Sequence, residues 1–245
     1  MSRLTDLLRQ VLHATPPAMG FRPTTPTKPH MVLIAALDGS PSTGTWQGAE
    51  AVILSATPKP RGFKSLAKTI KVPWGIWLSD VSSLQTETAQ ADFVVFEPDK
   101  AGLSLMLNND LGKIMAIEPS CESALLHGIS ELPVDAIYLK RAPQEAITWL
   151  DLMQCRRLSD LIAKPLLVPI APDTPPAQLT TLWETGVDGI VVTSTEENTL
   201  NNLRLEMDKL NLPARRKWLR AHPLVPLVSP TSSITHHEEE EEEYE

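Results

Sequence analysis

One short pattern recurs four times along this chain and restricts its fold more than any other feature. A small or apolar residue is followed by Asp or Glu and then by an apolar run. The copies are Ala49-Glu50-Ala51-Val52-Ile53-Leu54, Ala91-Asp92-Phe93-Val94-Val95-Phe96, Val134-Asp135-Ala136-Ile137-Tyr138-Leu139 and Val187-Asp188-Gly189-Ile190-Val191-Val192. Short apolar runs without alternation are what parallel strands buried on both faces produce. Four further runs, Met31 to Leu37, Trp74 to Leu78, Ile114 to Ile117 and Leu166 to Ile170, lie between and before the copies, each with a lysine near its start (Lys28, Lys71, Lys113, Lys164).

The stretch from Lys164 to Asn211 shows the repeating unit in full. Strand Leu166 to Ile170 leads through the turn Pro172 to Pro176 into a helix, Gln178 to Thr185, that Gly186 stops. Strand Val187 to Val192 leads into a second helix with Leu200, Leu203, Met207 and Leu210 at helical spacing and Ser194 as its cap. Four such units predict eight parallel strands near residues 31–37, 50–55, 73–78, 92–97, 113–118, 134–140, 165–170 and 187–193, closed into one (β/α)8 barrel of the α/β class. An open doubly wound sheet is the alternative, but the glycine-rich first turn usual there is absent.

At 245 residues the chain has the length of one such barrel, about 250. Residues 1–29 hold a short amphipathic helix from Ser2, with Leu4, Leu7, Leu8, Val11 and Leu12 spaced to cover the barrel floor, and a linker with five prolines. Residues 30–212 form the barrel. Residues 213–245 hold a basic segment (Arg215, Arg216, Lys217, Arg220), a Pro-rich stretch and a poly-Glu tail whose like charges favour disorder. Seven of the eight excess negative charges belong to Glu238–Glu243 and Glu245, so the body is near neutral. That argues against a nucleic-acid partner, while the basic segment and acidic tail suggest self-association. Two cysteines, Cys121 and Cys155, both expected in helices, suit a reducing cytoplasm, and no apolar run is long enough for a membrane span. Between strands, helices are expected at Phe63 to Ile70, Cys121 to Leu132 with Ser120 as cap, and Gln144 to Ala163. The last should present Ile147, Leu150, Met153, Leu158, Leu161 and Ile162 on one side.

Catalysis in a barrel sits at the C-terminal ends of the strands. Asp38, Ser55, Asp80, Glu97, Glu118, Lys140, Asp173 and Thr193 stand there. Counting from the repeated acid, positions two and four residues on are large and apolar and face the helices, so Ser55, Glu97, Lys140 and Thr193 face the lumen at its rim. A lysine sharing a confined mouth with carboxylates suggests a carbonyl-processing site with Lys140, Glu97 and Glu118 as catalytic groups. Asp38, Ser55, Asp80, Arg141 and Thr193 would hold a small-molecule substrate.

With Gly186-Val187-Asp188-Gly189-Ile190-Val191-Val192 resembling the strand-8 entry of aldolase-type barrels, the chain is similar to that superfamily. The resemblance implies a Schiff-base lysine on strand 6, where Lys140 lies, although Tyr138 takes the deeper position some of those enzymes use. An ion pair of Lys140 with Glu97 or Glu118 is the structural alternative.

Asp80, Glu97 and Glu118 also resemble the magnesium ligands of the enolase superfamily, but the capping domain of those enzymes is missing. A phosphate site is disfavoured by Pro172 after strand 7 and by Glu196-Glu197 opening the last helix. No metal and no cofactor is expected, since no glycine-rich phosphate loop or metal-spaced histidine or cysteine set occurs. The reading is a lyase-like enzyme acting on a small carbonyl compound. A catalytically degenerate barrel serving as a scaffold is the competing class.

Overall fold

The computed structural model describes residues 2–12, 30–37, 46–55, 70–78, 91–143, 145–193 and 198–212. Its eight strands are β1 (Val32–Leu37), β2 (Ala51–Leu54), β3 (Trp74–Leu78), β4 (Phe93–Phe96), β5 (Gly112–Ile117), β6 (Ala136–Leu139), β7 (Leu166–Ile170) and β8 (Gly189–Thr193). Each runs parallel to the next, and β1 pairs with β8 from Val32↔Gly189 to Ala36↔Thr193, so the sheet closes into a barrel. All eight expected strands are present. Closure leaves no edge, and near-continuous burial of both faces is why these strands read as unbroken apolar runs rather than alternating ones.

The register confirms which residues face the lumen. Trp77 on β3 and Tyr138 on β6 meet edge to face across it, ring centroids 5.1 Å apart. In strand register Trp77 lies beside Val95 and Tyr138 beside Leu167, so these positions share the inner face. Large lumen side chains are accommodated by glycine neighbours. A β-carbon at Gly75 would fall 2.3 Å from the Phe93 ring, and one at Gly189 would fall 2.7 Å from Leu167 Cδ2. The barrel interior is a packed core.

The repeated acid also receives its explanation. Glu50 accepts a hydrogen bond from the Leu33 amide (3.1 Å), Asp135 from the Lys113 amide (2.9 Å) and Asp188 from the Leu166 amide (2.8 Å). The backbone N–H of each acid donates in turn to the carbonyl of the same residue, at 2.8, 2.8 and 2.9 Å. Each even strand thus clamps both polar groups of one residue of the odd strand before it, where the ladder begins. The motif builds the barrel floor and not the site.

Asp92, the fourth copy, is used differently. Its backbone N–H still donates to the Trp74 carbonyl (2.9 Å), but its carboxylate accepts from Ser2 Oγ (2.7 Å), the Arg3 amide (2.9 Å) and the Leu4 amide (3.0 Å). These are the exposed donors at the start of α1 (Arg3–Leu12), whose positive end favours an anion. Ser2 Oγ also accepts from the Thr5 amide (3.4 Å), the cap expected from the sequence. With Leu4, Leu8 and Val11 buried, α1 covers the N-terminal end of the barrel, as its spacing predicts.

Four further helices are described: α2 (Ser123–Glu131), α3 (Trp149–Leu161), α4 (Pro176–Thr185) and α5 (Thr199–Lys209), with a 3-10 turn at Leu103–Leu107 between β4 and β5. Gly186 ends α4 in the left-handed region at φ 109°, a conformation that glycine adopts without a β-carbon clash. Several boundaries differ from the sequence reading. α2 starts after Glu122 without a side-chain cap, so Ser120 does not cap it and Cys121 lies ahead of it. α5 starts after Asn198 rather than Ser194, which lies outside the described residues with Glu196 and Glu197.

α3 begins only at Trp149. Thr148 and Asp151 form a reciprocal capping box that fixes this start, and no helix spans the residues from Glu145 to Thr148. Its core-facing residues are Cys155 and Leu158, whereas Leu150 and Met153, expected inside, are exposed. The expected helix at Phe63 to Ile70, the linker and the C-terminal segment lie outside the described residues, apart from Ile70 itself. No described helix is long and apolar enough to cross a membrane.

Candidate functional site

β4, β5 and β6 end side by side, and the next residue of each carries a charge: Glu97, Glu118 and Lys140. The registers Val95↔Ile114 and Ala116↔Tyr138 put these ends on the lumen face. Lys140 Nζ lies 2.9 Å from Glu97 Oε2 and 2.5 Å from Glu118 Oε1, and Lys100 Nζ lies 3.0 Å from Glu97 Oε1. The sequence reading brought Lys140 and the two glutamates to one place, and they meet there.

They close on one another. Hydrogen bonds to Glu118 and then Glu97 hold the Lys140 ammonium charged and push its pKa above the usual lysine range. The same bond from Lys140, followed by that from Lys100, pulls the Glu97 carboxyl below the usual range. A Schiff-base amine needs the opposite shift, because only the neutral amine attacks a carbonyl. Lys140 in this setting is an acid and a hydrogen-bond donor. Glu97 is well covered, at 13% side-chain exposure, while Glu118 is 58% exposed and is the carboxylate that solvent and solutes reach.

The other expected site residues fare unequally. Thr193 ends β8 beside Ala36 at the rim and is half-buried. Ser55 follows β2, donates its amide to the Leu37 carbonyl at 3.0 Å and is exposed. Asp38 and Asp80 lie outside the described residues.

Arg141 is buried at its guanidinium and spends its donors on the protein itself. It bonds the Pro169 carbonyl (2.9 Å), the Glu145 and Ala146 carbonyls (2.9 and 3.2 Å) and Asp151 (3.4 Å). It staples the segment after β6 to β7 and to the α3 cap. A planar fork of five donors suits that task better than a lysine would. The loop before a helix needs such external partners, since its carbonyls have none of their own.

Two site residues, Trp77 and Lys100, were not anticipated. Trp77 and Tyr138 pave the lumen below the charged rim, both half-buried, and burial drives the Tyr138 phenol up to about 12 against a smaller lowering by Arg141. Trp77 carries no acid marker in its strand, so only counting inward positions along β3 could have found it. Lys100, the second cation on Glu97, follows from a three-residue spacing that the strand-end reading ignored. Among the described residues no group of three or more His, Cys, Asp or Glu side chains is gathered to hold a metal. A separate cleft of about 350 Å³ lies between the turn after β7 (Pro172 to Pro176) and α5 (Thr199, Asn202, Leu203, Glu206), and shares no residue with the charged rim.

Eight parallel strands closed in chain order, with polar side chains gathered where they end, make this chain a (β/α)8 barrel. No family model matches it, and no curated protein matches it either. Solved structures do. The tryptophan synthase complex from Pyrococcus furiosus matches at a TM-score of 0.57 and 11% identity, over 74% of this chain and 98% of that one. Two single-site variants of the tryptophan synthase alpha-subunit from the same hyperthermophile match over the same shares at TM-scores of 0.56 and 0.55, each 12% identical. At that identity the likeness concerns the fold.

Proposed function

We propose that this barrel is a lyase-like enzyme for a small carbonyl compound, working by proton transfer and not through a covalent Schiff base. The observation that carries this reading is the position of Lys140 Nζ, 2.9 Å from Glu97 and 2.5 Å from Glu118 at the rim of the lumen. Two of the three ammonium donors meet these carboxylates, and the third can serve a substrate oxygen. A carbonyl polarised there gains negative charge as a bond beside it breaks, and a fixed ammonium stabilises that charge. Glu118, the exposed carboxylate, removes or returns the proton, and Glu97 with Lys100 holds the ammonium in place.

The test is incubation with a panel of small aldehydes, ketones and keto acids in deuterated buffer, followed by NMR. Exchange or cleavage beside the carbonyl is expected with the native chain, falling about 10²-fold or more in Glu118→Gln and Lys140→Met. Borohydride should trap no adduct. An adduct on Lys140 would restore the Schiff-base mechanism, and silence across the panel would favour the scaffold reading. That second reading has its own support, since each charge of the rim already has a protein partner and the first turns of α3 expose Trp149, Leu150 and Met153.

A further inference from the structure

The interior of the barrel is open to solvent at one place. Of the residues in the eight strands, all are buried except Ala36, Trp77, Tyr138 and Thr193. These four share the inner face. Ala36 pairs in register with Thr193, Trp77 with Val95 and Tyr138 with Ala116, and Glu97, Glu118 and Lys140 follow two residues further along β4, β5 and β6.

Trp77 and Tyr138 touch edge to face with ring centroids 5.1 Å apart, so the pair spans the lumen. On the β4 and β5 side of it, Val95 and Ala116 are 0% and 1% exposed, and that side is closed. Toward β8 and β1, Thr193 and Ala36 are half-buried, and Ala36 contributes no more than a methyl group. The opening therefore has an aromatic wall, a small wall facing it and Lys140 at its lip, one inward position above Tyr138.

Two donors in this wall are unspent. Among the described residues neither the Trp77 Nε1–H nor the Tyr138 hydroxyl has a hydrogen-bond partner, whereas the polar tips of buried aromatic side chains ordinarily find one. Burial pushes the Tyr138 phenol up to about 12, so it stays a donor at neutral pH. The charge of the lip is balanced, since Glu97 and Glu118 face Lys100 and Lys140, and Arg141 gives its donors to Pro169, Glu145, Ala146 and Asp151. Among the described residues no excess cation stands there for a phosphate or carboxylate, and the exposed Glu118 repels one.

We propose that this opening takes the ring of an uncharged aryl ketone or aldehyde, stacked on Trp77 and Tyr138 with Ala36 and Thr193 at its back and its carbonyl oxygen at Lys140. The proposal rests on the reading of Lys140 as the carbonyl-polarising donor and names the substrate class for it. An aromatic hollow with a few polar groups converging on it is the usual form of a small-molecule site.

The test titrates the full chain, labelled with nitrogen-15 at its tryptophan indoles, with phenylacetone, butanone, phenylpyruvate and dihydroxyacetone phosphate. Phenylacetone should bind about 10-fold more tightly than butanone, which lacks the ring, and than phenylpyruvate, which adds a charge. This preference is read on the native chain and needs no variant. Binding should shift the indole N–H signal that Trp77→Phe removes, while Trp149→Phe leaves the Kd unchanged. Ala36→Leu fills the small wall and should weaken phenylacetone about 10-fold with unchanged circular dichroism. Equal binding of butanone, tighter binding of phenylpyruvate or dihydroxyacetone phosphate, no binding at all, or a Kd that neither Trp77→Phe nor Ala36→Leu alters overturns the proposal. Deuterium exchange separates it from the reading beneath it. Phenylacetone held in the opening without exchange would sink the proton-transfer mechanism and keep the aromatic site, whereas exchange of butanone with no preference for the ring would do the reverse.

Discussion

Lys140 is the residue on which the chemistry turns, and its environment makes a pH prediction with opposite signs at the two ends. Its pKa is raised on folding, so its ion pairs contribute fully below the unfolded lysine value of about 10.4 and are lost as pH rises through the higher folded value. Glu97 is lowered, so its contribution is full above about 4.3 and is lost as pH falls through the lower folded value. Lys140→Met should therefore lower stability by on the order of 1 kcal/mol at neutral pH. In melts across pH that deficit should stay flat from about 5 to 10 and shrink beyond both ends. A deficit unchanged at high alkaline pH would mean that packing, and not charge, is what the lysine supplies. Gly75 makes the second residue-scale prediction. A methyl group there meets the Phe93 ring, so Gly75→Ala should cost about 1–3 kcal/mol in denaturant unfolding, and Gly75→Ala with Phe93→Leu should recover part of it.

At the scale of elements, the floor clamps explain why one acid recurs at four strand entries while only three serve the same purpose. Asp92 gives up the clamp and receives α1 instead, which ties residues 2–4 to a strand ninety positions on. Asp92→Ala removes an anion from three helix-start donors and should cost about 2 kcal/mol. Hydrogen exchange should show the Leu4–Leu12 amides opening first and the β-strand amides least affected. Uniform acceleration across the barrel would instead make α1 part of the cooperative core. Asp188, 1% exposed and bonded to the Leu166 amide, offers the comparison, because its loss should accelerate exchange in β7 and β8.

At the scale of the molecule, the barrel is complete without the glutamate run, whose like charges oppose collapse onto a near-neutral body. Deleting residues 229–245 should leave the melting temperature unchanged. A marked drop would mean that the tail contributes to the folded body.

Strand number, order and direction were legible in the sequence because they rest on local facts: an apolar run, an acid at its entry, a helical stretch between runs. Inward parity was legible for the same reason, since side chains alternate along any strand, and on the even strands it placed Lys140 and Glu97 at the rim, with Glu118 added from its place at the end of β5. The ends of α2, α3 and α5 were not, because caps such as the Thr148–Asp151 box act through geometry that periodicity does not encode. The side of α3 that turns inward was also illegible. Asp151 and Gln154 apart, its first two turns are apolar, so only docking against β7 and its neighbours selects Cys155 and Leu158 for the core and leaves Trp149 and Met153 outside. The state of Lys140 was decided at the same level. A lysine at a rim reads the same whether its amine is free or locked, and the difference is set by barrel closure, which brings the ends of β4, β5 and β6 within hydrogen-bond reach and fixes the ammonium between two carboxylates.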